Sequence, residues 1–395
     1  MTIGILGGGQ LGYMLALAGY PLGLHFRFLD PSPEAPVGRI AQRVTADFTD
    51  HNALEKFANG LELVTYEFEN VPAEAARFLS ERVPVFPPPE ALEVSQNRFQ
   101  EKSLFQKLDI LTTEFAPITK REELDARVKE IGLPAVVKTC RLGYDGKGQW
   151  MLRTTDDVDR LKDELRGESF AAGAKVHADE HEAPFIVEQF VPFSRELSLL
   201  AVRGRLGETA FYPLVENHHR SGILRLSLAP APRVDAALQR TAEQAASRVL
   251  ESLDYVGVLA IEFFEKEGRL LANEMAPRVH NSGHWTIEGA VTSQFENHLR
   301  AVMGLPLGST ATQGFCAMLN LIGEIPEPAE ILAVPDAHLH LYGKTVRAGR
   351  KVGHVTVRAS SFEQLTARLG ALPSFFQRPQ FCVEYGVLRT AALQS

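Results

Sequence analysis

Cysteine is scarce in this chain of 395 residues. The three that occur, Cys140, Cys316 and Cys382, form no C-x-x-C pair and no even-numbered framework. That excludes a disulfide-stapled scaffold and suits unpaired thiols in a reducing compartment, with the cytoplasm as the expected location. Positive charge is also short, since 41 basic residues against 49 acidic ones leave a formal charge of −8. A broad basic face for nucleic acid or an anionic membrane is therefore not expected, and any anionic ligand must fit a local basic pocket. Long apolar runs are missing too. The most apolar stretch, residues 3–24, is interrupted by Gly7, Gly8, Gly9, Gly12, Gly19 and Pro21 and has no basic segment before it. It reads as strand, turn and helix rather than as a leader or a membrane span.

What is present is ordinary globular material: 45% hydrophobic and 23% charged residues, in a length that suits two or three domains. Over the first hundred residues, apolar runs at 3–6, 24–29, 61–65 and 83–86 alternate with helical stretches at 50–58 and 72–80, which implies a parallel βαβ sheet. Phe86-Pro87-Pro88-Pro89 cannot continue a strand or sit inside a helix, so it marks a boundary before a polar helix over residues 95–108. The expected domains are 1–95, 96–303 with a lid at about 110–190, and a β-rich 304–395. The fold class is α/β and α+β.

Several motifs carry chemistry. Gly7-Gly8-Gly9-Gln10-Leu11-Gly12 follows a strand and opens a helix, matching G-x-G-x-x-G, with Asp30 ending the next strand. Free N–H groups there favour an anion. It can belong to a dinucleotide such as NAD or to a phosphate-bearing substrate, and a ligand-free tight turn is equally compatible. A second glycine-rich loop, residues 143–149, can bring backbone N–H groups against phosphate oxygens, although a solvated hairpin turn uses the same residue types. Lys138 and Lys147 add charge to it. Glu188-Gln189-Phe190-Val191 ends an apolar strand, where an adenine can meet a backbone edge while Glu188, or Glu196, takes a ribose hydroxyl. Glu262 and Glu274 differ by 274 − 262 = 12. In a hairpin this even spacing is expected to put both on one face, where Mg²⁺ relieves their repulsion and Asn273 adds an oxygen. Arg278, His280, Asn281 and Ser282 suit an anion, whereas Pro277 and Gly283 oppose the helix that metal binding by His280 and His284 needs. Lys344, Arg347, Arg350 and Lys351 form a basic cluster, either solvated or a phosphate clamp.

In this order the motifs resemble the ATP-grasp superfamily. Residues 7–12, Thr65-Tyr66-Glu67-Phe68-Glu69-Asn70-Val71, the loop at 143–149, Asn273-Glu274, Arg278 and residues 280–286 resemble more closely its 5-(carboxyamino)imidazole ribonucleotide synthase family. The resemblance implies a Rossmann-like (pre-ATP-grasp) parallel sheet, a central ATP-grasp domain with a lid, and a small C-terminal β-rich domain. It implies ATP- and Mg²⁺-dependent carboxylation of 5-aminoimidazole ribonucleotide by bicarbonate, through carboxyphosphate, in a cytoplasmic homodimer. By motif it gives the ATP contacts to Arg98, Lys138, Gly143, Tyr144, Asp145, Gly146, Lys147, Gly148, Gln149, Glu188, Gln189, Phe190, Val191, Glu196, His219, Asn273 and Glu274, and the metal to Glu262 and Glu274. Tyr144, Asp145, Lys147, Arg278, His280, Asn281 and Ser282 would surround bicarbonate and the amine. Gly9, Gln10, Leu11, Glu69, Asn70, Lys344, Arg350 and Lys351 would bind the ribonucleotide. The chain departs from the family at Tyr13, commonly arginine, and at Val279, frequently proline. The alternatives are another ATP-grasp ribonucleotide ligase or transformylase, and an NAD-dependent oxidoreductase.

Asp145 is the single acid of the loop at 143–149. Asp145→Asn is expected to cut carboxylation far more than ATP binding, measured as turnover against nucleotide affinity; equal losses would count against a part in the chemistry.

Overall fold

The computed structural model describes residues 1–141, 143, 148–165 and 183–377. Tyr144, Asp145, Gly146 and Lys147 lie outside them, as does Cys382. The N-terminal alternation forms a parallel sheet of β1 (Thr2–Leu6), β2 (His25–Leu29), β3 (Gln42–Val44) and β4 (Leu63–Tyr66), in the order β3-β2-β1-β4. β4 is buried at every position, as a strand covered on both faces must be. The helix His51–Ala58 starts where expected because the Asp50 side chain accepts the Ala53 N–H.

Two expectations fail here. Residues 83–86 add only one bridge, Val64 to Val85, because Pro84 and Pro87 have no N–H to extend a ladder. The proline run does not exclude a helix: Pro89 opens the helix Pro89–Ser95, at the first position, where its missing N–H costs nothing. The expected polar helix at 95–108 forms as Arg98–Lys107, its start set by Asn97, which caps it by accepting the Phe99 and Gln100 N–H groups.

A second sheet is antiparallel and has the order β5-β8-β6-β7, from β5 (Phe115–Ile118), β6 (Ala135–Thr139), β7 (Gln149–Leu152) and β8 (Phe185–Gln189). Helices Leu124–Ile131 and Thr155–Glu164 pack Val128, Ile131, Val158 and Leu161 into its own small core. The largest sheet contains β9 (Arg195–Arg203), β10 (Thr209–Phe211), β11 (Val215–Arg220), β12 (Ile223–Ala229), β13 (Gly257–Lys266), β14 (Arg269–Ala276), β15 (Phe315–Ile322), β16 (Ala337–Leu341) and β17 (Lys351–Ala359). Its order is β14-β13-β9-β11-β12-β15-β17-β16, with β10 on β9. β12 pairs with β15, so strands beyond residue 304 extend this sheet and close its edge. β11, Val-Glu-Asn-His-His-Arg, has no apolar alternation to announce it; β9 and β12 hold it from both sides. No helix among the described residues is long and apolar enough to cross a membrane.

The helix Gln294–Met303 ties the first sheet to the largest one. Its fully buried His298 receives the Val258 N–H on Nδ1 at 3.1 Å, and its Nε2 lies 2.8 Å from Thr65 Oγ1. Burial pushes the imidazole down to about 3, so His298 is neutral in the fold. Its contribution is complete above the ordinary value near 6.5 and is lost as pH falls toward 3. The slope is about 1.4 kcal/mol per pH unit for one such group. Urea midpoints should therefore decline below pH 6.5, and His298→Gln should flatten that decline by one group. An unchanged slope would contradict this account.

Candidate active site

The carboxylate hairpin sets the floor of the cleft. β13 and β14 are joined by Glu267 and Gly268, with φ of 53° and 73°, the backbone of a two-residue hairpin turn. Lys266 pairs with Arg269, and the ladder runs unbroken to Phe263 and Ala272. Continued in that register it would set Glu262 against Asn273 and turn Glu274 to the other face. Even spacing alone therefore does not put both acids on one face, since partners across a two-residue turn differ by an odd number. The register shifts between Glu262 and Phe263, Asn273 becomes the extra residue of a bulge, and Glu262 stands opposite Glu274.

Three side chains of the helix Arg98–Lys107, spaced i, i+3 and i+4, hold this bulge. Lys102 Nζ donates to the Asn273 carbonyl at 3.1 Å, and Glu101 Oε1 accepts the Met275 N–H at 2.6 Å. Arg98 donates to Glu274 Oε2 and to the Gly143 carbonyl, each at 3.1 Å. Sequence reasoning passed over Glu101 and Lys102; the signal was a charged stripe on the helix face that also carries Phe105, where apolar residues are the rule. Glu188 Oε2 meets Lys138 at 2.7 Å and Lys102 at 3.7 Å. With 3% exposure, the Glu188 carboxylate is not an exposed strand-end charge: its Oε2 goes to the two lysines, and its Oε1 is buried without a hydrogen-bond partner. Glu196 is partly exposed.

The electrostatics are uneven. Burial raises a carboxyl, but Lys102 and Lys138 overcome it and hold Glu188 down at about 2. Burial likewise opposes ionisation of Glu274, yet Arg98 holds it below the usual range. At Glu262, burial with the facing Glu274 outweighs the opposing pull of His219 and pushes it up to about 7. Burial and Glu274 also push Glu101 up to about 8. On the opposite wall, His219 Nδ1 lies 2.9 Å from Glu196 Oε2. Burial works against its charge, but Glu196 and Glu262 raise it to about 9.

Two acidic residues oppose each other at the bulge, and Oδ1 of the adjacent Asn273 is buried without a partner. Among the described residues no three His, Cys, Asp or Glu side chains gather as a self-sufficient metal site. Mg²⁺ carried by a nucleotide needs only one or two carboxylates, because phosphates and water complete its octahedron. The donor set fits that ion.

Gly148 has φ of 67°, and a Cβ there would sit 2.6 Å from Thr139 Oγ1; Gln149 pairs with Lys138. Gln189 closes β8, the Phe190 N–H goes to Pro134, and Val191 is buried. His280 Nε2 is 3.5 Å from Glu262 Oε1, and its Nδ1 is 2.8 Å from Ser282 Oγ. Both amide atoms of Asn281 are buried and unpartnered. Arg278 forks onto Glu69, and the half-buried Asn70 follows in that loop. His284 stacks on His354, with ring centroids 4.3 Å apart.

The N-terminal glycine turn holds acids of the chain itself. Gly8 N–H donates to Asp30 at 2.7 Å, and the Gly9 and Gly12 N–H groups donate to Glu67 at 2.7 and 3.2 Å. A Cβ on Gly9 would lie 2.8 Å from Glu67, and one on Gly8 2.8 Å from Val37. The glycines are thus required by internal packing, and both carboxylate oxygens of Asp30 are engaged by the backbone, Oδ2 by the Gly8 N–H and Oδ1 by the Ser32 N–H. The NAD reading is overturned on these contacts. Leu11 is core, while Lys344 donates to Gln10 beside Glu67. Burial, with Arg350 and Lys351 nearby, lowers Lys344 to about 8 although Glu67 opposes this.

Comparison with known proteins matches three successive segments of the chain. Residues 1–96 match the ribonucleotide synthetase preATP-grasp domain, residues 103–295 the ATP-grasp domain, and residues 316–368 the phosphoribosylaminoimidazole carboxylase C-terminal domain. An N5-carboxyaminoimidazole ribonucleotide synthase of Pseudomonas aeruginosa is 53% identical, covering 95% of this chain and all of that one. The crystal structure of the corresponding synthetase from Thermus thermophilus superposes with a TM-score of 0.87 at 59% identity, over 93% of this chain and 97% of that one. A synthase from Aspergillus clavatus, solved with ADP and 5-aminoimidazole ribonucleotide, gives a TM-score of 0.82 at 28% identity, over 100% of this chain and 99% of that one.

Lys102→Met should cost about 3 kcal/mol in chemical denaturation, because it strips a buried partner from Glu188 and the donor from the Asn273 carbonyl. A loss below about 1 kcal/mol, the scale of an exposed pair, would contradict the clamp.

Proposed function

The chain belongs to the N5-carboxyaminoimidazole ribonucleotide synthase family of ATP-grasp enzymes, and from that premise we propose how its cleft works. It is an ATP-dependent carbon–nitrogen ligase that carboxylates 5-aminoimidazole ribonucleotide in purine biosynthesis. Bicarbonate is the carboxyl donor of the proposal. Its oxygen attacks the γ-phosphorus of ATP, ADP leaves, and the carboxyphosphate formed loses phosphate as the substrate amine takes the carboxyl group and gives up a proton. Keeping water from that mixed anhydride is the task of the loop at 143–149, with Tyr144, Asp145 and Lys147 beside bicarbonate and amine.

Lys138 and Arg98, which pair with Glu188 and Glu274, would face the phosphate charge as it develops. Glu262 and Glu274, with Asn273 Oδ1, would hold Mg²⁺, which when bound neutralises the phosphate oxygens. Gln189 to Val191 offer a backbone edge to adenine, and Glu196, aligned by His219, takes a ribose hydroxyl. Arg278, His280, Asn281 and Ser282 line the carboxyl end. Lys344, Arg350 and Lys351 repel one another beside Gln10, and a ribonucleotide phosphate would relieve that repulsion. The proposal extends to a homodimer in the cytoplasm, which the family resemblance and the scarcity of cysteine support.

The observation that carries this reading is the pair Glu262 and Glu274 facing each other at the bulge beneath Arg98. ADP release should require both 5-aminoimidazole ribonucleotide and bicarbonate. Glu262→Gln and Glu274→Gln should each raise the Mg²⁺ needed for half-maximal rate by roughly tenfold or more, about 1.4 kcal/mol. ADP release indifferent to bicarbonate would instead point to a ligase with another donor, such as formate.

A further inference from the structure

His280 is the near end of a buried hydrogen-bond chain that runs inward across three strands. Ser282 Oγ lies 2.8 Å from His280 Nδ1, and the Ser282 backbone N–H also points at that nitrogen, at 3.4 Å. Ser198 Oγ on β9 is 2.9 Å from Ser282 Oγ. Asn217 Nδ2 on β11 donates to Ser198 Oγ at 2.8 Å, and Ser227 Oγ on β12 donates to Asn217 Oδ1 at 2.7 Å. Ser198, Ser227 and Ser282 are fully buried and Asn217 nearly so. Glu262 pairs directly with Ser198 across β13 and β9, and Asn217 pairs with Ser227, so the chain lies along the face that carries the Glu262 carboxylate.

The chain has a direction. A backbone N–H can only donate, so Nδ1 carries the lone pair. The Ser282 hydroxyl hydrogen then goes to Nδ1, and Ser282 Oγ must accept from Ser198. Ser198 has its hydrogen engaged and must accept, which requires the NH₂ side of an amide; Asn217 supplies it and turns its oxygen to Ser227. At the other end, Nε2 faces a Glu262 oxygen at 3.5 Å, where a hydrogen on nitrogen is favoured. Both ends select the same arrangement.

We propose that Ser198, Asn217 and Ser227 are positioning residues that fix His280 as its Nε2–H tautomer, so that it donates a hydrogen bond to the bicarbonate-derived carboxyl group instead of taking the proton of the substrate amine. This rests on the bicarbonate reading above. The proton of the amine then leaves by another acceptor, such as the departing phosphate.

The test begins with the unaltered full-length enzyme. Long-range ¹H–¹⁵N correlation on histidine-labelled protein, with His280 assigned by its loss in His280→Asn, should show an unprotonated Nδ1 and a protonated Nε2. A protonated Nδ1 would overturn the proposal, and this needs no destabilising variant. Ser198→Ala should mix the tautomers and lower kcat for carboxylation by about 10–100-fold, the usual scale for removing a group that orients a working histidine. The KM for ATP should stay unchanged, and Ser198→Thr, which restores the hydroxyl, should recover both tautomer and rate. Full kcat in Ser198→Ala, or a loss confined to KM for ATP, would sink the idea. Should the unaltered enzyme show the Nε2–H pattern yet release ADP without regard to bicarbonate, the functional reading fails while the tautomer assignment stands.

Discussion

Glu101 and Lys102 bond the backbone on either side of Glu274, and the arrangement of the cleft depends on what they hold there. A two-residue turn would otherwise run the β13–β14 ladder in a register that sends Glu274 away from Glu262. One extra residue reverses this, and an extra residue in a ladder leaves backbone groups without strand partners. The Asn273 carbonyl and the Met275 N–H are those groups. Charged partners on a helix from outside the sheet satisfy them, so the packing of that helix and the facing of the two carboxylates are one constraint. Arg98 on the same helix reaches Glu274 and Gly143 together, linking the carboxylate floor to the lid sheet.

The buried charges gain their cooperation from crowding. Lys102, Lys138 and Glu188 sit within 3.7 Å links of one another, where each alone would be costly to bury. Two lysines share one carboxylate there, a local excess of positive charge in a net-acidic chain. The asymmetry between Glu274, held ionised by Arg98, and Glu262, lifted by its neighbour, follows from that placement.

The N-terminal turn shows the same economy with the opposite outcome for sequence reading. Glycines, a helix start and a following acid satisfy every local rule for dinucleotide binding. Here the anion at the helix start is Glu67, reaching from the loop after β4. The physics of the motif is right, an anion at free N–H groups, but the anion belongs to the chain, and no local pattern says where it comes from.

The sequence by itself determined whatever depends on near neighbours. Alternating runs placed three of the four parallel strands, β1, β2 and β4, Asp50 and Asn97 were available as caps, and the polar stretch at 278–282 stood out by composition. The order of the motifs was enough to resemble one family. Only the tertiary structure decided the contacts between distant segments: the bulge at Asn273, the withdrawal of Glu188 into its lysines, the occupation of the glycine turn by Glu67, and β11. β11 is the clearest case, for its polar residues become a strand and its Asn217 a hydrogen-bond relay only once β9 and β12 supply ladders on both sides. Local propensity is summed over a few residues, whereas register and pairing are set by partners dozens to hundreds of positions away.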